Sequence, residues 1–153
     1  MGYLSDLRKI VGTRPLLSCG ATILVFNESK ELLLNLRSDT STWGIPGGGM
    51  DLGETLEEVA ARELFEETGL KAKSYRLLDV LSGEDFYFKY PNGDELYSVI
   101  GLFLAEGVTG NLQINDDESY ELKYFNLFNL PAMESRAFKI VQWIKENMDL
   151  NKI

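Results

Sequence analysis

The sequence predicts an α+β fold, a mixed β-sheet packed between α-helices, formed as one domain over residues 1–153. Three observations carry that expectation. Apolar, β-branched runs open the chain and return after its middle, a well-capped helix signal separates them, and an amphipathic helical pattern closes the sequence. At 153 residues the chain is domain-sized, and burial of about 68–70% of its unfolded surface supplies a full core without staples. No internal repeat, low-complexity run or Pro/Gly/Ser linker divides it.

In chain order, Leu4–Val11 reads as a short helix halted before Gly12 and Pro15. LLSCGATILVF (16–26) reads as a buried strand, and ELLLNLR (31–37) follows it after a turn at Asn27–Lys30. WGIPGGGMDLGE (43–54) is a glycine-rich loop. Thr55 and Glu58 then form a T-x-x-E capping box, and Gly69 stands where a helix-ending glycine belongs, so the spacing predicts a helix over Leu56–Thr68. Strands are expected at 75–81, 86–90 and 95–105, the last two joined by an Asn92-Gly93 hairpin turn. ELKYFNLF (121–128) is a further strand candidate. Asn129 and Pro131 open a final helix whose Ala137, Ile140, Val141, Ile144 and Met148 make one apolar stripe.

Composition narrows the function. Hydrophobic content of 44% and charged content of 25% are ordinary for a globular protein. The net charge of −9 repels nucleic-acid backbones and anionic lipids, so neither is an expected partner. There is no histidine, which removes His-based triads and most zinc chemistry. Cys19 is the only cysteine, so no internal disulfide forms, and its apolar neighbours place it in the core. The N-terminus lacks the pattern of a signal peptide and no run reaches transmembrane length, so a cytoplasmic protein is expected.

RELFEETG (62–69) poses a sharper question. Glu63, Glu66 and Glu67 share one side of the predicted helix, about 5–6 Å apart, where like charges repel. With Leu56 at zero on a wheel of about 100° per residue, Glu63 falls about 20° to one side and Glu67 about 20° to the other. Both therefore lie between Val59 and Leu64 on the inward stripe, with Glu66 at its edge. Inward carboxylates need a partner, and clustered hard oxygens suit Mg²⁺ or Mn²⁺. Upstream, Gly47, Gly48 and Gly49 let backbone come close to a ligand, and Pro46 stiffens the approach.

From Gly48 the chain reads GGMDLGETLEEVAARELFEETGL, ending at Leu70. This resembles the Nudix box, G-x5-E-x7-R-E-U-x-E-E-x-G-U with U apolar. Gly48, Glu54, Arg62, Glu63, Leu64, Glu66, Glu67, Gly69 and Leu70 fill every specified position. At residue frequencies of roughly 5–10%, nine chance matches have odds on the order of 10⁻¹⁰. WGIPGG before the box and the strand order around it are also similar to the family.

The resemblance implies hydrolysis of a nucleoside diphosphate linked to another moiety, with a divalent metal at the site. By position, Glu63, Glu66 and Glu67 would bind the metal, with the Gly47 carbonyl as a further ligand. Arg62 would pair with Glu54 and hold the helix against the loop. A metal polarises phosphoryl oxygen and acidifies bound water, which suits a chain without histidine. Family members are often dimers, so a homodimer is one expectation.

Substrate markers are sparser. Arg37 follows a strand leading into the glycine loop and is a candidate phosphate ligand, with a plain surface arginine as the competing reading. Leu36 departs from the pair of basic residues that many members carry there. Tyr87, seventeen residues past Leu70, resembles the marker tyrosine of diadenosine polyphosphate hydrolases, although FYFKY also suits sheet packing. Glu118, in the acidic loop NDDESYELKYF (115–125), is the candidate general base outside the box, with Glu121 second. Competing readings are a catalytically silent nucleotide-binding sensor on the same fold and an RNA 5′-end pyrophosphohydrolase, the latter disfavoured by the acidic charge. A calcium loop at 115–119 is rejected, because the EF-hand glycine is absent.

Overall fold

A computed structural model describes residues 2–153; Met1 lies outside the described residues. In chain order the elements are α1 (Tyr3–Val11), β1 (Leu16–Leu24), β2 (Leu32–Arg37), β3 (Trp43–Gly44), β4 (Gly47–Gly49) and α2 (Leu56–Thr68). There follow β5 (Ser74–Leu81), β6 (Tyr87–Lys89), β7 (Glu95–Glu106), β8 (Ser119–Phe125) and α3 (Ser135–Asn147). The α+β class stands, but the strands form two sheets where one was expected. The larger runs β4-β1-β7-β5, with β6 also pairing β7, and the smaller runs β3-β2-β8. The larger sheet is mixed: β1 and β7 pair in parallel from Leu16↔Leu96 to Leu24↔Leu104, and its other pairings are antiparallel.

Strand alternation shows how the central pair is covered. Successive side chains leave a strand on opposite faces. Leu24, Ile100, Leu102 and Leu104 pack in a cluster with Ile140, Val141 and Ile144 of α3. Ala21, Ile23, Phe103 and Ala105 pack in a second cluster with Val59, Ala60 and Leu64 of α2. The two helices thus cover opposite faces, which is why β7 is buried without interruption from Ile100 to Ala105. Cys19 is not in that core. It is exposed, and Leu17 on the same face is 76% exposed. The apolar contacts of α2 begin only at Ala21, so the strand end before it projects beyond the helix.

The predicted limits of α2 hold because its end signals are local. The Thr55 hydroxyl accepts from Glu58 N–H, the Glu58 carboxylate accepts from Thr55 N–H, and Gly69 turns out of the helix at φ 76°. α3 starts later than Asn129 and Pro131 suggested. Ala132 and Glu134 spend their backbone on β3 instead. Trp43 N–H donates to the Ala132 carbonyl at 3.0 Å and Glu134 N–H donates to the Trp43 carbonyl at 2.8 Å. The Glu134 carboxylate then caps α3 by accepting from Arg136 and Ala137 N–H.

The glycine-rich segment also holds more structure than a loop. β4 pairs with β1 in the register Gly20↔Gly49, Ala21↔Gly48, Thr22↔Gly47. The fit is tight: a Cβ on Gly47 would meet the Ala21 carbonyl, and one on Gly48 would meet the Glu63 carboxylate. The hairpin turn is present between β6 and β7, with Gly93 at φ 94°. Among the described residues no helix is long and apolar enough to cross a membrane.

Candidate active site

α2 carries its carboxylates to the edge of β4, beside a cleft of about 350 Å³ whose lining includes Arg37, Gly47, Glu63, Glu67 and Glu118. The inward stripe is as the wheel places it. Glu67 is 4% exposed, the Glu63 side chain 12% and the Glu66 side chain 51%. Glu67 Oε2 accepts from Gly47 N–H at 3.0 Å. This bond fixes the deepest carboxylate against the glycine strand.

Arg62 organises the turn ahead of the stripe. Its Nε and Nη2 donate to the two oxygens of Glu54 at 2.7 and 2.8 Å, and Nη2 also donates to the Gly49 carbonyl at 3.0 Å. A two-pronged bond of this kind is directional as well as strong. It ties α2 to the glycine segment, through the Arg62–Glu54 pairing and the Gly49 carbonyl. Nη1 donates to Glu63 Oε1 at 2.9 Å and to Glu66 Oε2 at 3.4 Å. Glu66 is thereby turned toward Arg62 and lines, with Glu63 and Glu118, a recess adjoining the cleft rather than the cleft itself.

The charges respond to this packing. The hydrogen bond from Arg62 holds Glu54 down at about 2. Burial pushes Glu63 up to about 7, partly opposed by Arg62 and reinforced by Glu66 and Glu118. Burial raises Glu67 well above the usual carboxylate range, and the charges of Glu63 and Glu118 add to it, against the Gly47 N–H. Glu118 is raised by burial and by Asp116, with Arg37 opposing. Three acids thus feel one another across one cleft, and two of them are raised although a cation or N–H donor already touches each. That is the environment a further cation relieves. The free oxygens of Glu63, Glu67 and Glu118 and the nearby glycine backbone are hard donors of the kind Mg²⁺ and Mn²⁺ take. Among the described residues no three acidic side chains yet form a closed cluster around one point, consistent with Glu66 pairing with Arg62.

The remaining expected residues divide. Arg37 lines the cleft, gripped by Asp39 at 2.9 and 2.6 Å, with its guanidinium carbon 4.9 Å from the Phe88 ring centre. Glu118 lines the cleft just ahead of β8, its backbone joined to Ser38. Glu121 is exposed on β8 and does not line the cleft. Tyr87 also lies outside the cleft lining. Its hydroxyl donates to Glu95 at 2.6 Å, which pushes it up to about 12, and its ring packs on Tyr97.

Sequence reasoning missed Asn35, Ser98, Glu134 and Arg136, all of which line the far end of the cleft. Asn35 had one available signal, a lone amide inside the apolar run LLLNL. Nothing in ESRAF marks Glu134 and Arg136 as more than an ordinary helix start.

The NUDIX domain profile matches residues 18–144. A Bacillus subtilis (strain 168) protein provisionally named 8-oxo-dGTP diphosphatase is 35% identical over 112 residues, covering 73% of this chain and 68% of that protein. The ADP-ribose pyrophosphatase of Methanocaldococcus jannaschii is 33% identical over 121 residues, covering 78% and 68%. In fold, the chain is similar to the MutT NUDIX hydrolase from Burkholderia pseudomallei, with a TM-score of 0.68 at 24% identity over 83% of this chain and 97% of that one. It is also similar to the NUDIX domain of Shewanella oneidensis NrtR, solved with ADP ribose, at a TM-score of 0.67 and 20% identity over 97% and 100%. Profile and relatives agree: the chain belongs to the Nudix family and is a hydrolase of phosphoric anhydride bonds in nucleoside diphosphate derivatives.

Proposed function

We propose that this protein binds Mg²⁺ or Mn²⁺ through Glu63, Glu67 and Glu66, with the Gly47 carbonyl beside them, and cleaves the diphosphate linkage of a small nucleotide substrate. The observation that carries this reading is the buried pair Glu63 and Glu67 facing Glu118 across the cleft. A divalent metal held there would supply charge to neutralise phosphoryl oxygen and to acidify water. The protein's own residues do the rest. Arg62 keeps α2 locked to β4 through Glu54 and Gly49, so the carboxylates present a fixed geometry. Glu66, now 3.4 Å from Arg62, would be the third carboxylate to hold the cation. Arg37, held by Asp39, offers a guanidinium at the cleft wall to a substrate phosphate.

Glu118 is the proposed general base, because it lines the same cleft and its proton affinity is already raised by burial. A base must reach the attacking water within hydrogen-bond distance, and the loop before β8 supplies that reach once substrate is held. Tyr87 is at most a distant support for substrate binding, since Glu95 already engages its hydroxyl.

The test is a panel of nucleoside diphosphate derivatives and nucleoside monophosphates with Mg²⁺, products resolved by chromatography. Cleavage within the diphosphate of at least one derivative is expected. Release of phosphate from monophosphates in preference to any diphosphate compound overturns the reading.

A further inference from the structure

The cleft extends past the carboxylates to a second polar end, where one atom stands out. Asn35, on β2, is 6% exposed, and its Nδ2 donates to Ser119 Oγ at 2.9 Å. Its Oδ1 is buried with no hydrogen-bond partner, the one such side-chain atom among the described residues. An unpaired buried acceptor is costly, and native proteins rarely keep one without a use. As placed, the amide gives one N–H to Ser119 and keeps Oδ1 as its unpaired end, so a donor is what would complete it.

The neighbourhood leaves room at this oxygen. Gly44 pairs with Asn35 across β2 and β3, and a Cβ on Gly44 would stand 3.4 Å from Oδ1. Gly44 therefore places no side chain over the buried Oδ1 on this side, and both residues line the cleft. Ile45, Ile100 and Ile140 supply apolar wall there. Arg136 adds a planar surface: its guanidinium carbon lies 4.2 Å from the Phe88 ring centre, and Nη1 donates to Ser98 Oγ at 3.2 Å. Apolar walls with a guanidinium plane suit a flat ring, and a lone acceptor asks that ring for an N–H donor.

The structure assigns Asn35 as a specificity-determining residue that accepts a hydrogen bond from the exocyclic amino group of the substrate's nucleobase. The substrate class is accordingly a nucleoside diphosphate derivative with an amino-bearing base, adenine or cytosine in type, in preference to its keto counterpart. This assignment rests on the diphosphate-hydrolase reading of the cleft. Hydrogen-bonding sites discriminate well against analogues that lack the donor, because the protein's polar group is then left unpaired.

Matched pairs test it: CDP-glucose against UDP-glucose, and ADP-ribose against its inosine analogue. The quantity read is the amino-to-keto ratio of kcat/KM, which cancels any loss common to both members. The native protein should favour the amino member of at least one pair by about tenfold to a hundredfold. Asn35→Leu removes the acceptor, and Gly44→Ala covers it at ordinary van der Waals distance. Both should bring the ratio near one, whereas Asn35→Asp, which keeps an acceptor in place, should retain the preference. A native ratio near one, a preference for keto bases, or a ratio unmoved by both Asn35→Leu and Gly44→Ala overturns the assignment. If no pair member is cleaved, binding of the free nucleotides carries the test. Calorimetric affinities of CDP against UDP, and of ADP against IDP, then read Asn35 by the same ratio.

Discussion

Glu118 and Glu54 show how one residue type does different work in different surroundings. Glu118 has burial and Asp116 raising its proton affinity beside the metal-type carboxylates. General-base assistance is worth about 10²–10⁴ in rate, so Glu118→Gln should lower kcat by that much and leave KM nearly unchanged. Steady-state kinetics on the cleaved substrate decides this, and a loss under about threefold returns the role to a box glutamate. Glu54 is pinned ionised by Arg62, at about 2 against an ordinary 4.5. A lowered carboxylate contributes stability above its unfolded value, and that contribution disappears as pH falls through the folded one. Glu54→Gln should therefore unfold more easily than the native protein near neutrality, with the gap closing between pH 4.5 and 2. Denaturant midpoints across that range measure it, and a gap independent of pH would refute the ion pair's role. Because both partners are partly solvated, the effect will be modest and weakened by salt.

At the scale of elements, the site is a joint between α2 and β4, and each side can be probed. A Cβ on Gly48 would stand in the space of the Glu63 carboxylate. That carboxylate can swing away, so Gly48→Ala should still fold but misplace a ligand. Displacements on the ~1 Å scale cost about 10²-fold in turnover, and a variant with native kcat would contradict this placement. Leu64 lies fully buried in the α2 cluster, so Leu64→Ala should cost about 2–5 kcal/mol by denaturant unfolding. α2 was legible in the sequence because its capping box, terminal glycine and apolar spacing are all contained within it, and the same spacing placed Glu63 and Glu67 inward. β4 and the start of α3 were not legible, because distant partners decide them: β1 pairs the glycines, and Trp43 holds residues 132–134 against β3. Asn35 became meaningful only through the same kind of pairing, since Gly44 across the strand places no side chain over its oxygen.

Over the whole molecule, a net charge of −9 surrounds a cleft that must admit an anionic substrate. Long-range repulsion should slow capture, while the cations at the cleft act only at short range. Raising ionic strength from about 0.01 to 0.15 M shortens the screening length from about 30 to 8 Å, so kcat/KM should rise over that interval at fixed metal. A steep fall would instead mark a substrate steered by positive charge, as expected of an RNA end. The two-sided packing of the larger sheet leaves α2 anchored by its apolar face, so its carboxylates can be altered without dismantling the core. That separation makes the central claim directly testable. The rate of diphosphate cleavage should be followed against Mg²⁺ concentration for the native protein, Glu63→Gln and Glu67→Gln, with native-like circular dichroism and unfolding midpoints as controls. The account predicts saturable metal dependence in the native protein, abolition by chelator, and loss of most activity in both folded variants. Full activity in both variants, or turnover that persists in chelator, would contradict it.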